Sequence, residues 1–128
     1  MNADFLFGND KSEIDDDSVR VWIPKSVKSS DELFRTIADG LRFPDWFGRN
    51  WNALFDCLCD FTWLSERRII IAHEDVPLLP SDQLREYLNV LRDAVRSWRA
   101  NPGPHELVVV FPEGTRLSWM AEGAERPE

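Results

Sequence analysis

The sequence has few of the features that mark secreted, membrane or metal-binding proteins. It has two cysteines, Cys57 and Cys59; on a helix, at about 100° per residue, their side chains diverge and cannot easily form a disulfide with each other. His73 and His105 lack the paired spacing of a zinc site. No apolar run approaches a membrane helix, and the opening MNADFLFGND does not resemble a signal peptide. We expect a cytoplasmic protein without a metal or cofactor.

Basic residues are also scarce, 15 against 23 acidic ones, so the net charge is −8. An acidic surface is repelled by nucleic-acid phosphates, which argues against general nucleic-acid binding. The acids concentrate at the two ends, with six against one lysine in residues 1–17 and four against two arginines in residues 113–128. We expect an acidic N-terminal extension and a C-terminal tail, both solvated and partly disordered, around one domain over residues 18–112.

Periodicity within the domain predicts alternating strands and helices. SVRVWIP alternates apolar and polar side chains as a strand does, and Pro24 ends it. SSDELFRTIADGL contains a capping box, Ser29 to Glu32, followed by an apolar helical face. RRIIIAH and ELVVVFP are short runs rich in β-branched residues, typical of buried central strands. Between them SDQLREYLNVLRDAVRSWRA repeats apolar residues at helical spacing, with Ser81 as the predicted N-cap.

This order of elements predicts an α/β fold. Strand, helix, a central segment, strand, helix and strand favour a small parallel sheet with right-handed crossovers and packed helices. EDVPLLP contains two prolines, which predict a connection with at most a turn of helix.

The central segment PDWFGRNWNALFDCLCDF concentrates aromatic, amide and acidic side chains. Pro44 and Gly48 predict a loop, with Gly48 in a backbone conformation that other residues avoid. Asn50 is a favourable N-cap, so we predict a helix from Trp51 to about Asp60.

A helical wheel divides this helix into an apolar back and a mixed front. The front carries four side chains: Asn52, Phe55, Asp56 and Cys59. Taken singly, the Asp56 carboxylate and the Phe55 ring fit ordinary surface and core-edge positions. Of Trp46 and Phe47 on the preceding loop, we expect one to pack beneath the helix and the other to be an exposed interface anchor.

These residues resemble a family signature. The gap-free part of the likeness comprises Pro44, Trp46, Phe47, Gly48, Asn50 and the hexapeptide ALFDCL, and NVLRDA in the last helix is a weaker second likeness. Together they resemble the barstar family, cytoplasmic protein inhibitors of secreted ribonucleases. The resemblance covers roughly residues 19–112 and implies a three-stranded parallel sheet with packed helices.

The resemblance also implies a function. The loop 44–50 and the helix 51–60 would block the active site of a cognate ribonuclease, with Asp56 replacing a substrate phosphate and Trp46 packing on the catalytic site. Asp93 would be a supporting acid from the last helix. The chain would be a monomer that forms a 1:1 complex, and not an enzyme. The predicted partner-binding residues are Trp46, Phe47, Gly48, Arg49, Asn50, Asn52, Phe55, Asp56, Cys59 and Asp93.

Some positions depart from the family pattern. Asn52 and Arg49 stand where the family has acids, and the last helix carries four arginines. These departures predict weaker electrostatic steering and a partner different from the family's best-known ribonuclease. Arg49 would suit an acid or a phosphate-free pocket on that partner.

Two other functions stay open at this point. Asp45, Asp56, Asp60 or Asp93 could supply a catalytic carboxylate pair, and His73 lies at a strand end, where open parallel sheets place their sites. No phosphate loop, metal-ligand spacing or nucleophile motif accompanies them, so a buried structural histidine is the favoured interpretation. The third possibility is an interaction module with a non-nuclease partner, because fold does not fix function.

Overall fold

A parallel sheet flanked by helices forms the centre of the molecule, for which a computed structural model describes residues 4–8 and 16–115. In these ranges the elements are β1 Leu6–Phe7, β2 Ser18–Ile23, α1 Ser30–Gly40, α2 Trp51–Leu58, β3 Arg68–His73, α3 Ser81–Ala100 and β4 Glu106–Phe111. The strand order is β1-β4-β3-β2, and every neighbouring pair is parallel. The predicted α/β class is confirmed, but the sheet has four strands and not three.

The additional strand comes from the acidic N-terminal segment. Leu6 pairs with Val110 in β4, and the Gly8 N–H donates to the Phe111 carbonyl at 2.9 Å. Phe5, immediately before the strand, is 2% exposed, and its ring lies 5.5 Å from that of Phe111. The expectation of a solvated end is therefore wrong for residues 4–8, because the apolar residues among the acids are numerous enough to pair and pack here.

Asp4 ties this segment to α3. Its carboxylate accepts hydrogen bonds from Arg96 at 2.9 Å and from Arg99 at 3.2 Å. Desolvation of the carboxylate opposes ionisation, but the hydrogen bonds and charges of the two arginines hold the pKa of Asp4 below its usual value. The ion pairs thus bridge residues about ninety positions apart in sequence.

The helix ends follow local capping chemistry, with two corrections. Ser29 caps α1 as predicted, its side chain accepting from the Glu32 N–H at 3.1 Å. α3 has Pro80 as its N-cap, and the predicted cap Ser81 is its first helical residue. α2 ends at Leu58, two residues before the predicted end, since the chain leaves the helix and reaches a left-handed conformation at Phe61, where φ is 58°.

The main core lies between the sheet and the helices. Apolar residues of all three helices share one cluster with residues of the strands, among them Val21, Ile69 and Val109. α1 packs closely on β2, because a Cβ at Gly40 would lie 2.3 Å from the Val21 side chain. Ile70, on the opposite face of the sheet, is also buried. β3 is thus covered on both faces, as predicted for a central strand.

Candidate functional site

The loop over residues 44–50 begins with a turn and ends at a helix cap. The Phe47 N–H donates to the Pro44 carbonyl at 3.1 Å. The left-handed residue of the loop is Arg49, with φ at 53°, so the prediction that Gly48 adopts this conformation is wrong. Gly48 is suited to its position by space instead, since a Cβ there would lie 3.3 Å from the Asn50 Nδ2.

Asn50 joins the loop to α2. Its Oδ1 accepts a hydrogen bond from the Ala53 N–H at 2.8 Å, and its carbonyl accepts the first helical bond from the Leu54 N–H. The predicted N-cap is confirmed. The side chain that the family likeness assigns to partner contact thus also fixes the start of the helix.

The two adjacent loop aromatics differ in burial, as expected. Phe47 is half-buried and packs edge-on against Phe43 and Phe34, with ring centroids 4.9 and 6.0 Å away. Trp46 is 62% exposed. One ring therefore anchors the loop in the core and the other faces outward, available for contact with another molecule.

The predicted division of α2 into back and front is also confirmed. Leu54, Cys57 and Leu58 are buried on the back. On the front, Asn52 and Asp56 are exposed, one helical turn apart, while Phe55 and Cys59 are half-buried. Within residues 4–8 and 16–115, no basic side chain pairs with Asp56. Its charge is presented to solvent on a helix whose back is fixed in the core.

The two thiols of α2 are unsuited to nucleophilic chemistry. Burial, together with the carboxylates of Asp60 and Asp56, raises the pKa of Cys57 to about 11. Burial also raises the pKa of Cys59. Both groups stay protonated near neutral pH, and the thiolate is the nucleophilic form of cysteine.

A groove of about 240 Å³ between α2 and α3 brings predicted residues from both helices together. Its lining residues are Trp51, Asn52, Phe55, Glu86, Asn89, Val90 and Asp93. Three of them, Asn52, Phe55 and Asp93, were predicted from sequence. Glu86 and Asn89 also line the groove but were not among the predicted residues. Asn89 and Asp93 follow Glu86 by three and seven residues, which places all three on one face of α3.

Cations near the site have acidic partners within the chain. The Arg49 guanidinium lies 3.3 Å from the Asp31 carboxylate in the first turn of α1. Arg92 Nε lies 3.2 Å from its neighbour Asp93. Asp31 also accepts a hydrogen bond from Arg35, which is the main cause that lowers its pKa. These pairs reduce the positive field that the isolated sequence positions suggest.

The histidine considered for catalysis is enclosed. His73 is 3% exposed and stacks on Phe111, with ring centroids 4.1 Å apart. Its Nδ1–H donates to the Val110 carbonyl at 2.9 Å, so its Nε2 accepts the hydroxyl proton of Tyr87 at 2.6 Å. Burial lowers the pKa of His73 to about 4. Both nitrogens are occupied in the core, in agreement with a structural role.

Across the described ranges, no group of three or more His, Cys, Asp or Glu side chains could hold a metal ion. In the same part of the chain, no helix combines the length and the apolar character that crossing a bilayer requires.

The described fold defines the chain as a small α/β domain built on a parallel sheet with three helices. Residues 19–110 match the model of the family described as Barstar (barnase inhibitor), and the chain therefore belongs to the barstar family. Proteins of this family are inhibitors rather than enzymes, and their partners in general are ribonucleases. A comparison with curated proteins gives no match.

Proposed function

We propose that this chain is an inhibitor of a cognate ribonuclease, in the manner of an immunity protein, and that it blocks the enzyme's active site with the loop 44–50 and the front of α2. Family membership supports the class of partner. The exposed Asp56 carboxylate, unpaired in the described chain and fixed on a helix with a buried back, is the observation that carries the proposal.

The chemistry of the front suits a cleft that normally binds RNA. Ribonuclease active sites hold a phosphate with basic groups, and a carboxylate can take the place of that phosphate through charge-assisted hydrogen bonds. Asp56 is the proposed substitute. Because no basic side chain of the described chain pairs with Asp56, no internal ion pair has to be broken on binding.

Aromatic side chains provide the remaining contact area. Trp46 exposes most of its ring, and tryptophan is enriched among the residues that dominate interface energetics. Phe55 borders the groove between α2 and α3, where Asn52, Glu86 and Asp93 add polar groups. Basic side chains of the partner would meet Glu86 and Asp93 at this groove, where Asp93 also pairs with Arg92, and the Asp56 carboxylate on the front of α2.

A pull-down with a matched bait tests the proposal. The wild-type chain and Asp56→Ala, each immobilised, are exposed to extract from the native cell, and the eluates are assayed for hydrolysis of a fluorogenic RNA. We expect a small basic ribonuclease in the wild-type eluate and much less in the other. Equal recovery from both baits would contradict the site, and absence of nuclease while a neighbouring toxin is expressed would favour an interaction module with another partner.

A further inference from the structure

Trp46 is exposed, but its ring is not free to point in any direction. It meets the ring of Trp63 edge-on, with centroids 6.4 Å apart and planes at 89°. Perpendicular arrangements of this kind are favoured by the aromatic quadrupole. Trp63 lies beyond the end of α2, seventeen positions after Trp46 in sequence, and did not figure among the residues predicted to contact a partner.

Trp63 is itself held firmly. Its indole N–H donates to the carbonyl of Leu41 at 2.9 Å, at the end of α1. Its ring also meets Phe43 and Phe61 edge-on, with centroids 5.7 and 5.9 Å away. Leu41 and Phe61 are fully buried. The indole is therefore fixed by one hydrogen bond and two ring contacts to the core.

Two consecutive loop residues, Trp46 and Phe47, contact an aromatic cluster formed by Phe43 and Trp63. Phe43 contacts Trp63 on one side and Phe47 on the other. Trp46 adds its own contact with Trp63. Because Trp46 and Phe47 both contact this cluster, its residues set the orientation of the exposed Trp46 ring. Phe43 and Trp63 do not themselves belong to the predicted interface.

We infer that Trp63 is a positioning residue, which orders the Trp46 ring before a partner arrives. The inference rests on the proposed function of the loop. A side chain that is already ordered loses less rotamer freedom on binding, and preorganisation of this kind raises affinity. The contribution of Trp46 to binding should therefore depend on Trp63.

A double-mutant cycle measures this dependence, with the ribonuclease captured by the wild-type chain as the probe. We expect Trp63→Leu to weaken affinity by about two- to tenfold in the wild-type background, and to have almost no effect once Trp46→Ala is present. Trp98→Leu is the matched control, since Trp98 is also half-buried and donates its indole N–H to a backbone carbonyl, that of Leu58, at 2.7 Å. Any cost of Trp98→Leu should be the same with and without Trp46→Ala, because the Trp98 ring stacks on Phe61 and not on Trp46.

The outcomes separate the two proposals. If Trp46→Ala weakens binding but Trp63→Leu costs the same in both backgrounds, or no more than Trp98→Leu, the positioning inference is wrong and the proposed function stands. If Trp46→Ala leaves affinity unchanged, the positioning inference fails together with the assignment of Trp46 to the interface, and the proposed function fails only if Asp56→Ala also leaves affinity unchanged. Should Trp63→Leu not fold, Trp63→Phe and Trp98→Phe replace the leucine variants.

A measurement on the free protein adds a readout that a merely structural role would not change. The ¹⁵N relaxation of the Trp46 indole N–H reports the order of that ring on the picosecond to nanosecond timescale. We expect its order parameter to fall in the Trp63 variant and to stay at the wild-type value in the Trp98 variant. An unchanged value in both would overturn the inference.

Discussion

The Arg49 guanidinium lies 3.3 Å from the Asp31 carboxylate, so the cation in the loop 44–50 has its counterion on α1. The sequence alone suggested that Arg49 would need an acidic or phosphate-free pocket on the partner. With Asp31 beside it, the loop can approach a basic cleft with less repulsion. This pairing removes one of the reasons for expecting an unusual partner.

The pairing predicts a change in association rate. Asp31→Asn leaves Arg49 without that carboxylate, and we expect association with the captured ribonuclease to slow by a factor of about two to five at low salt. The difference should shrink near physiological salt, where the Debye length is about 8 Å. Stopped-flow fluorescence measures the rate.

A matched control removes the same charge elsewhere. Glu106 also lies 3.3 Å from an arginine, Arg67, and belongs to β4 outside the proposed site. Glu106→Gln changes the net charge by the same amount as Asp31→Asn, but it should leave the association rate close to the wild-type value. Equal slowing by both variants would mean that total charge, and not the local pair, controls the encounter.

Removal of the Asp56 carboxylate should affect binding far more than stability. We expect Asp56→Ala to cost about 2 to 5 kcal/mol of binding free energy, as truncation of one partner of a buried charge pair generally does. The cost arises because basic groups of the partner are left buried and unpaired. Isothermal titration calorimetry measures it, and thermal unfolding checks that the fold is kept.

Asp39→Ala is the control for this substitution, as it removes another exposed carboxylate from a helix, α1, outside the proposed site. Its binding free energy should match the wild type. A loss for Asp56→Ala no larger than that for Asp39→Ala would argue against the proposed interface.

The enclosed His73 predicts acid sensitivity between about pH 6.5 and 4. Its pKa is about 4 in the folded chain and about 6.5 when unfolded, so in this window the unfolded state binds more protons. The free energy of unfolding should therefore fall as the pH is lowered, by up to about 1.4 kcal/mol per pH unit. Protonation would also turn His73 Nε2 from an acceptor into a donor, so it could no longer accept the hydroxyl proton of Tyr87. Urea unfolding at several pH values measures the slope.

His73→Gln isolates this contribution. The variant should be less stable than the wild type at neutral pH, and its stability should vary less between about pH 6.5 and 4. Carboxylates with lowered pKa values, such as Asp4, add acid sensitivity at lower pH in both proteins. Parallel stability curves for the two chains would show that His73 is not the source of the slope.

The fourth strand predicts unequal effects at two phenylalanines of the same segment. Phe5 is 2% exposed and Phe7 is 47% exposed. We expect Phe5→Ala to lower the free energy of unfolding by roughly 3 kcal/mol, as removal of a buried ring does, and Phe7→Ala to lower it by about 1 kcal/mol or less. Chemical denaturation measures both. Similar small effects would indicate that the segment contributes little to the core.

Most of the fold followed from patterns that are local in sequence. Runs of β-branched residues indicated β3 and β4, and the cap at Asn50 placed the start of α2 at the correct residue. The strand β1 was not predictable in the same way. Its two residues carry too short a pattern, and their partner Val110 lies over a hundred positions away, so only tertiary pairing identifies it.

The candidate site was predictable where side chains follow helical periodicity. The front and back of α2 and the outward position of one loop aromatic were correct. Contacts between elements could not be read in advance. The pairing of Arg49 with Asp31 and the support of Trp46 by Trp63 join segments whose relative placement depends on the packed core.

The segment around Phe5 has a practical consequence for how the protein is produced. The family match runs from residue 19 to residue 110, yet Phe5 and Phe111 lie outside these limits. Their rings contact each other at a tilted angle, and the Phe111 ring stacks on His73. A recombinant fragment trimmed to the shared interval would expose the histidine and lose both rings. The interval that matches the family is thus shorter than the segment that should be expressed.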